Sequence, residues 1–248
     1  SLRLRAFAVS FFGSMLRIHA LLLLAFLAAA PAFAIEPVTL QLKWRNAFQF
    51  AGYYTALWKG YYRDAGFDVT IREAEPGQSV VDEVVAGRAQ FGVGTSSLLL
   101  AWHGGKPVVV LGVVFQHSPY VIVARQDAGI GSIHDIVDKR LMMEPMSDEI
   151  LAYLQREGIP MDRVTRLEHT FKIEDLVEGR TDAIVAYVTN QPFHLRRAGV
   201  PYLAFSPRSA GVDCYGDNLF TSKQLLERQP ERAQAFRDAS MRGWEYAM

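Results

Sequence analysis

Residues 80–97, VVDEVVAGRAQFGVGTSS, decide the fold class of this chain. Their pattern predicts a helix that ends at Gly87, a short apolar strand over 89–93, and a Gly-Thr-Ser-Ser turn that opens the next helix. Glycine commonly follows the last residue of a helix, and hydroxyl residues commonly precede the first. We therefore predict an α/β unit here, with the turn at 94–97 available for binding.

A similar pattern recurs 92 residues later in the stretch 173–190, IEDLVEGRTDAIVAYVTN. The residues that match at this offset are Gly66 and Gly158, Val85 and Val177, Gly87 and Gly179, Arg88 and Arg180, and Val93 and Val185. A helix, a glycine and a strand also follow one another in any α/β protein, so coincidence is the alternative explanation. If the repeat is real, the chain has two similar lobes, and we expect the strand ends at 94–97 and 186–190 to face each other.

Further strands and helices alternate along the chain, which predicts a parallel sheet and an α/β class. Strands are predicted over 38–44, 67–71, 108–115, 120–125, 140–143, 164–167, 181–186 and 200–205, and helices over 52–65, 98–103, 147–157, 192–197 and beyond 221. The apolar run 108–115 is typical of a strand buried on both faces. Residues 206–217 are predicted to be a turn-rich crossing. The predicted lobes are 35–120 plus 206–248, and 121–205.

Residues 1–34 have the composition of an export signal. Three arginines precede an apolar run over 20–30, and Ala-Phe-Ala at 32–34 fits a signal peptidase site. The apolar run is shorter than the roughly 20 residues that a membrane span needs. We predict a signal peptide cleaved after Ala34 and a periplasmic protein; the alternatives are an uncleaved anchor and, third, a lone apolar core helix at the N-terminus.

Charge and cysteine content exclude several classes of function. The 248 residues include 26 basic and 26 acidic side chains, and without residues 1–34 there remain 23 basic and 26 acidic ones. This balance gives no reason to expect nucleic acid or an anionic membrane as a partner, and we expect no membrane span in the mature lobe pair. Cys214 is the single cysteine, so the chain can form no internal disulfide.

Signatures of enzymes are nearly absent from the sequence. The six histidines do not stand at metal-ligand spacings, and there is no G-x-S-x-G or P-loop lysine motif. The segment 92–97 is half of a dinucleotide fingerprint but lacks its last glycine. We therefore predict no catalytic residues, no metal and no cofactor.

Candidate binding residues follow the first and third predicted strands. The segment 44–54, WRNAFQFAGYY, combines aromatic rings that can stack a flat heterocycle with polar groups that can read its edge. From it we select Trp44, Asn46 and Tyr53, although an aromatic residue on a helix is often part of the core. The turn at Gly94, Thr95 and Ser96 offers N–H groups and hydroxyls at a helix N-terminus, where plain helix capping is the alternative.

The remaining candidates lie at the ends of other predicted strands or at the second crossing. They are His117, Glu144, Tyr187, Asn190 and Asp217. A carboxylate at Glu144 could accept hydrogen bonds from an amino-heterocycle or simply be solvated. Our hypothesis is that Trp44 and Tyr187 stack a ring and that Asn46, Ser96, His117, Glu144 and Asn190 hold its polar edges.

The segments LKWRNAFQFAGYYTALWKGYYRDAGFDVTI, FGVGTSSLLLAWHGGKPVVVLG and AYVTNQP resemble the NMT1/THI5-like group of ABC-transporter substrate-binding proteins over residues 38–246. The resemblance implies the type II periplasmic binding protein fold, with two α/β lobes and a ligand cleft between them. It also implies a small-molecule ligand, such as a hydroxymethylpyrimidine-type thiamine precursor, a sulfonate or a nitrate-like anion. The implied partner is an ABC permease or, since FQHSPY and SPRSAG also occur in exported sensors, a fused signalling module.

The same group includes the eukaryotic hydroxymethylpyrimidine phosphate synthase of thiamine biosynthesis. In the present sequence Gly94 stands at the position of that enzyme's cofactor lysine and Leu98 at that of its histidine, and the cysteine-rich iron motif is missing. The prediction is therefore an exported, non-enzymatic binding protein for a small planar nitrogen heterocycle, serving ABC import. The alternatives are an extracytoplasmic sensing domain of a histidine kinase or diguanylate cyclase and, third, the synthase.

Overall fold

The computed structural model describes residues 35–248, so the predicted signal segment 1–34 lies outside the described residues. The strands are β1 (Glu36–Gln41), β2 (Phe67–Arg72), β3 (Phe91–Gly94), β4 (Val108–Phe115), β5 (Tyr120–Arg125), β6 (Arg140–Met143), β7 (Thr165–Glu168), β8 (Ala183–Tyr187), β9 (Tyr202–Phe205) and β10 (Gly216–Ser222). The α-helices are α1 (Ala51–Trp58), α2 (Tyr61–Asp64), α3 (Val80–Val85), α4 (Leu98–His103), α5 (Asp148–Arg156), α6 (Glu174–Val177), α7 (Gln191–Arg197), α8 (Lys223–Arg228) and α9 (Pro230–Ala247). Within this described part, no helix has both the length and the apolar character needed to cross a bilayer.

The strands form two sheets with the same internal order. The first sheet has the order β2-β1-β3-β10-β4, and the second has β7-β6-β8-β5-β9. In each sheet the first three strands are parallel and the fourth runs antiparallel to both of its neighbours. The duplication expected from the sequence is thus present in the topology.

The matched glycines have the same local role in both sheets. Gly87 follows α3 with φ +75°, and Gly179 follows α6 with φ +72°. Glycine adopts this left-handed conformation without the steric penalty that a Cβ atom brings. The repeated glycine therefore ends the helix and turns the chain toward the next strand in each unit.

Two connections join the sheets. The chain leaves the first sheet after β4, passes through residues 116–119 and enters the second sheet as β5. It returns after β9 through residues 206–215 and re-enters the first sheet as β10. We call the first sheet with its packed helices the first lobe, and the second sheet with its helices the second lobe. These connections are the only covalent links between the lobes in the described residues.

Each sheet has an apolar cluster on both faces. In the first lobe, α1 and α9 cover one face, where Phe236 stacks on Phe91 with centroids 3.8 Å apart, and α3 and α4 cover part of the other. In the second lobe, α5 packs on one face and α6 and α7 on the other. Burying one large apolar side chain contributes about 1.5–3 kcal/mol, so these clusters hold each lobe together.

Helices α1 and α9 approach each other closely at Gly52 and Gly243. A Cβ atom on Gly243 would lie 2.1 Å from the carbonyl oxygen of Gly52, and one on Gly52 would lie 2.2 Å from the Trp244 ring. Only glycine fits at this crossing.

One strand was not predicted. The sequence indicated a turn-rich crossing up to Asp217 and helices from Thr221, whereas β10 spans Gly216–Ser222 and all seven of its residues are buried. Its opening Gly-Asp-Asn is typical of a turn. Pairing with β3 and β4, which are distant in sequence, overrides that local preference.

The prediction that residues 108–115 are buried on both faces was wrong. These residues form β4, which lies at the edge of the first sheet, and Val110 is 46% exposed. β10 returns from the second lobe and takes the inner position between β3 and β4. The predicted helix over 52–65 is also interrupted, because Gly60 adopts φ +78° between α1 and α2.

Candidate functional site

The ends of equivalent strands in the two lobes meet at a buried ion pair. Lys43 follows β1, Glu144 follows β6, and their charged groups are 3.0 Å apart with each side chain only 5% exposed. Lys43 also donates a hydrogen bond of 2.9 Å to the Tyr120 hydroxyl, which in turn donates to Glu144. Removing either charge would leave the other buried without a partner, which is strongly unfavourable.

Two tyrosine rings enclose the Lys43 ammonium group. It lies 4.7 Å from the ring centroid of Tyr120 and 4.4 Å from that of Tyr187. The two rings meet edge to face, with centroids 4.8 Å apart. Cations are attracted to aromatic faces at such distances, so this pocket favours a positively charged or N–H-rich group.

Asp217 supplies a second buried carboxylate from the first lobe. It is 0% exposed and accepts hydrogen bonds from the Tyr187 hydroxyl at 2.6 Å and from Gln49 Nε2 at 3.3 Å. Burial raises the pKa of Asp217 to about 6, although Lys43 acts in the opposite direction. The pKa of the Tyr187 hydroxyl is raised well above its ordinary value by burial and by Asp217, so Tyr187 remains the donor.

Unusual backbone conformations concentrate at this contact between lobes. Among residues 35–248, the non-glycine residues with positive φ are Asp138, Met146, Phe171 and Asp217. The last three belong to segments that make contacts between the lobes. Such conformations cost energy and are retained mostly where function or packing requires them.

The Gly94-Thr95-Ser96-Ser97 turn joins the first lobe to residues 146–149 of the second. The Thr95 hydroxyl donates to the Met146 carbonyl at 2.7 Å, and Ser96 Oγ donates to Glu149 Oε2 at 2.9 Å. Burial raises the pKa of the Glu149 carboxyl. The hydrogen bonds of this turn therefore go to 146–149 and not to residues 186–190, the partner expected from the repeat.

Trp44 lies on the other side of the ion pair, against aromatic residues of the second lobe. Its ring centroid is 4.1 Å from that of Phe171 and 4.8 Å from that of His169. Burial lowers the pKa of His169. A cavity of about 240 Å³ is lined here by Trp44, His169, Asn190 and His194, among others.

Next to the ion pair, side chains fill the space between the lobes. Beside Lys43, Glu144 and Tyr187 the residual cavity is only about 10 Å³, roughly the space for one water molecule. The polar groups there bind one another across the interface. The lobes are thus closed in this structure, and a ligand would enter this space only after they part.

The structure brings some of the candidate residues together and separates others. Trp44, Glu144, Tyr187 and Asp217 lie at the contact between lobes, and the turn at Gly94, Thr95 and Ser96 lies beside it.

Four candidates lie outside the buried cluster. Asn46 is on the surface, where it accepts a hydrogen bond from Tyr54, and Tyr53 is fully buried in the core against Trp244. His117 is exposed and bonds Asp213 at 2.9 Å, which links the two connections. Asn190 lines the cavity beside Trp44 and contacts His194 at 3.1 Å.

Three residues of the contact between lobes were not predicted from the sequence: Lys43, Tyr120 and Glu149. Residues 38–44, VTLQLKW, alternate apolar and polar side chains, so Lys43 stands where a solvent-facing residue is expected and the sequence carried no signal of a buried partner. Glu149 had no such signal either, since acidic residues are common in the first turn of a helix. In the described residues, no group of three or more histidine, cysteine, aspartate or glutamate side chains is placed to hold a metal ion.

A protein-family model described as NMT1/THI5 like matches residues 47–248. Riboflavin-binding protein RibY of Chloroflexus aurantiacus is 27% identical over 227 residues, which cover 87% of this chain and 64% of that protein. Formylaminopyrimidine-binding protein of Halalkalibacterium halodurans is 24% identical over 220 residues, which cover 86% of this chain and 67% of that protein. The chain thus spans less than two thirds of the riboflavin-binding relative. Both relatives are named as binding proteins, in line with the prediction of a non-enzymatic role.

Solved structures of binding proteins have the same fold. The alkanesulfonate-binding protein SsuA from Xanthomonas axonopodis pv. citri, bound to MOPS, superposes with a TM-score of 0.63 at 15% identity, covering 84% of this chain and 72% of that one. The periplasmic aliphatic sulphonate binding protein SsuA from Escherichia coli gives a TM-score of 0.59 at 12% identity, with coverage of 84% and 72%. At such identities the likeness concerns the fold alone.

Proposed function

Because the chain belongs to the NMT1/THI5-like family, we propose that it is an exported solute-binding protein whose two lobes close on a small planar nitrogen heterocycle. Its fold is the two-lobed α/β fold of periplasmic binding proteins. The ligand class we propose is a hydroxymethylpyrimidine-type thiamine precursor, delivered to an ABC permease. The lobe boundaries predicted from the sequence, 35–120 plus 206–248 and 121–205, stay a proposal, in which we assign the boundary residue Tyr120 to the second lobe because it is the first residue of β5.

One observation carries this proposal: charged and aromatic groups from both lobes converge at the ends of equivalent strands. Lys43 and Asp217 come from the first lobe, and Tyr120, Glu144 and Tyr187 come from the second. A ligand that touches groups on both lobes stabilises the closed arrangement relative to the open one. Aromatic rings with a few convergent polar groups are typical of small-molecule sites.

The chemistry of the cluster suits an amino-heterocycle. Glu144 and Asp217 are acceptors that an exocyclic amino group or a ring N–H can use, and Lys43 can donate to a ring nitrogen. Tyr120, Tyr187 and Trp44 offer ring faces or edges. The ligands named for the two relatives, riboflavin and a formylaminopyrimidine, share this planar, nitrogen-rich character, which supports the class without selecting one member.

In the closed structure Lys43 occupies the position between the two tyrosines. When the lobes part, water can solvate Lys43 and Glu144, and a ligand can enter before the lobes close again. Motion about the connections at 116–119 and 206–215 would produce this opening, because only short segments there must change conformation. The ligand thus replaces contacts that the protein makes with itself.

Calorimetric titration tests the proposal with 4-amino-5-hydroxymethyl-2-methylpyrimidine and, separately, riboflavin. We expect saturable binding of the pyrimidine that Trp44→Ala weakens at least about fivefold, since base–aromatic stacking is worth about 1–3 kcal/mol. Trp58→Ala is the matched control, because Trp58 is 80% exposed on α1. Unchanged affinity in Trp44→Ala would remove the stacking role, and absence of binding to both compounds would contradict the proposed ligand class.

A further inference from the structure

A ring-sized cavity stays open beside Trp44 although the lobes are closed. Its volume is about 240 Å³, and a cavity of about 150 Å³ is enough to hold a benzene molecule. The space beside Lys43 and Glu144, by contrast, measures only about 10 Å³. Trp44 and Gln191 line both spaces, so the two adjoin. The cavity is therefore the part of the proposed site where the closed lobes leave room for a substituted ring.

Gln191 brings a hydrogen-bond donor to the wall of this cavity. The residue is only 7% exposed, and its Oε1 accepts a hydrogen bond of 2.9 Å from the Tyr187 backbone N–H. Because only the oxygen of an amide can accept from an N–H group, this contact fixes which end of the side chain is Nε2. Nε2 has no acceptor among the described residues, and it is not one of their fully enclosed polar atoms. A ligand can therefore reach it.

The other buried side chains of the wall add a donor and no free acceptor. Trp44 is 7% exposed, and its indole N–H has no acceptor in the described part of the chain. His169 has no free nitrogen, because Nδ1 accepts from the Phe171 backbone N–H at 2.9 Å and Nε2 faces the Val185 carbonyl at 3.2 Å. The carboxylate in the wall belongs to Glu174, which is exposed to solvent. The buried side of the cavity thus suits a group that accepts hydrogen bonds.

We propose that Gln191 determines the specificity of the site by selecting a ring edge that accepts hydrogen bonds, such as a ring nitrogen or a carbonyl oxygen. This inference rests on the proposed function and orients its ligand, with the amino edge toward Glu144 and Asp217 and the acceptor edge toward Gln191. Buried donors are rarely left without an acceptor, and a site built to hydrogen-bond one group rejects an analogue that lacks it. A ring of the same shape without acceptors leaves Nε2 unpaired and binds more weakly.

Two probes of the same shape test this selection. They are 4-amino-5-hydroxymethyl-2-methylpyrimidine and 2-amino-4-methylbenzyl alcohol, in which C–H groups replace both ring nitrogens. Calorimetry with the full-length protein in mildly alkaline buffer, where the ring nitrogens carry no proton, gives the ratio of the two affinities. Gln191→Glu keeps an oxygen for the Tyr187 N–H and replaces the NH2 group by a second oxygen. We expect this variant to lower the ratio of pyrimidine to alcohol affinity at least about fivefold, the factor that one net hydrogen bond provides.

Gln155→Glu is the matched control. It makes the same change of charge in the second lobe, at an exposed position of α5, and should leave the ratio within about twofold of that of the parent protein. NMR of the Gln191 side-chain amide gives a second measurement that needs no variant. Its N–H resonances should move farther downfield with the pyrimidine than with the alcohol, because only the pyrimidine offers a ring acceptor.

Contrary results separate this inference from the proposed function. An affinity ratio that is the same in Gln191→Glu and the parent, or that falls equally in Gln155→Glu, would overturn the role of Gln191 and leave the proposed function standing. Amide resonances of Gln191 that move equally with both compounds would have the same meaning. Absence of binding of both compounds to the parent protein would contradict the proposed ligand class and this inference with it.

Discussion

Lys43 and Glu144 occupy equivalent positions in the two sheets and bind each other. Leu40 in β1 pairs with Phe91 in β3, and Leu141 in β6 pairs with Ala183 in β8. Lys43 and Glu144 follow Leu40 and Leu141 at the same distance along the chain, and their charged groups are 3.0 Å apart. The duplication therefore places opposite charges at the same point of each lobe, where they meet when the lobes close.

This buried pair should be strongly coupled. In a double-mutant cycle with Lys43→Met and Glu144→Gln, we expect a coupling energy of about 2 kcal/mol or more in the free energy of unfolding, because each single variant leaves a buried polar group without its partner. The control cycle uses Lys106 and Asp82, whose side chains are 49% and 51% exposed. That pair should couple by less than about 1 kcal/mol. Equal coupling energies in urea unfolding would contradict the burial argument.

Asp217 should make the stability of the protein depend on pH. Burial raises its pKa from 3.8 to about 6, so the folded protein holds this proton more tightly than the unfolded chain. The resulting stabilisation is complete below about pH 4 and is lost as the pH rises through about 6, a change of about 3 kcal/mol. Between about pH 4 and pH 7, we expect the free energy of unfolding of the parent protein to fall by this amount relative to that of Asp217→Asn.

Urea unfolding across that pH range measures the free energy of unfolding of both proteins. The other carboxylates are common to the two proteins, so their contribution cancels when one free energy is subtracted from the other. Asparagine is the suitable replacement, since it mimics the protonated acid and tolerates the positive φ of +50° at this position. A difference that stays constant with pH would show that Asp217 titrates normally.

The Gly94–Ser97 turn should affect closure of the lobes. Thr95→Val removes the hydroxyl that donates to Met146 across the lobes, at a cost of about 1 kcal/mol to the closed form. Its control is Thr181→Val, which removes a similar hydrogen bond, 2.8 Å to Ala183, within the second lobe. X-ray scattering should show a larger radius of gyration for Thr95→Val only, whereas the same increase in both variants would argue against a role in closure.

The crossing of α1 and α9 should tolerate no side chain. Gly243→Ala places a Cβ atom 2.1 Å from the Gly52 carbonyl oxygen, and the helices must separate to accept it. We expect the free energy of unfolding to fall by about 1–3 kcal/mol. Glu245→Ala, at an exposed position of the same helix, should change it by no more than about 0.5 kcal/mol. Chemical denaturation of the two variants gives the comparison.

Local sequence patterns predicted most of the strands and helices, because each unit carries its own boundary signals. Gly87 and Gly179 marked the repeated units, and β4, β5, β6 and α4 have the predicted bounds. The position of β4 could not be predicted in this way. Whether it lies inside or at the edge depends on β10, which comes from a distant part of the chain.

Residues of the candidate site could be predicted from the sequence where they end a strand. Residues that are buried only by contact with the opposite lobe could not. Glu144 and Tyr187 were selected because they end strands, and both lie at the contact between lobes. Tyr53 was selected for its chemistry, but its helix turns that ring into the core. Lys43 was overlooked, since its partner belongs to the other lobe.

The late position of β10 in the sequence also has a consequence for biogenesis. The second sheet is made from one continuous stretch, whereas the first needs residues 216–222 between β3 and β4. As the chain emerges from a ribosome or a translocation channel, the second sheet can assemble while the first sheet still lacks its strand β10 between β3 and β4. The part made first is thus completed last, and until then its unpaired strand edges are exposed to pairing with other chains.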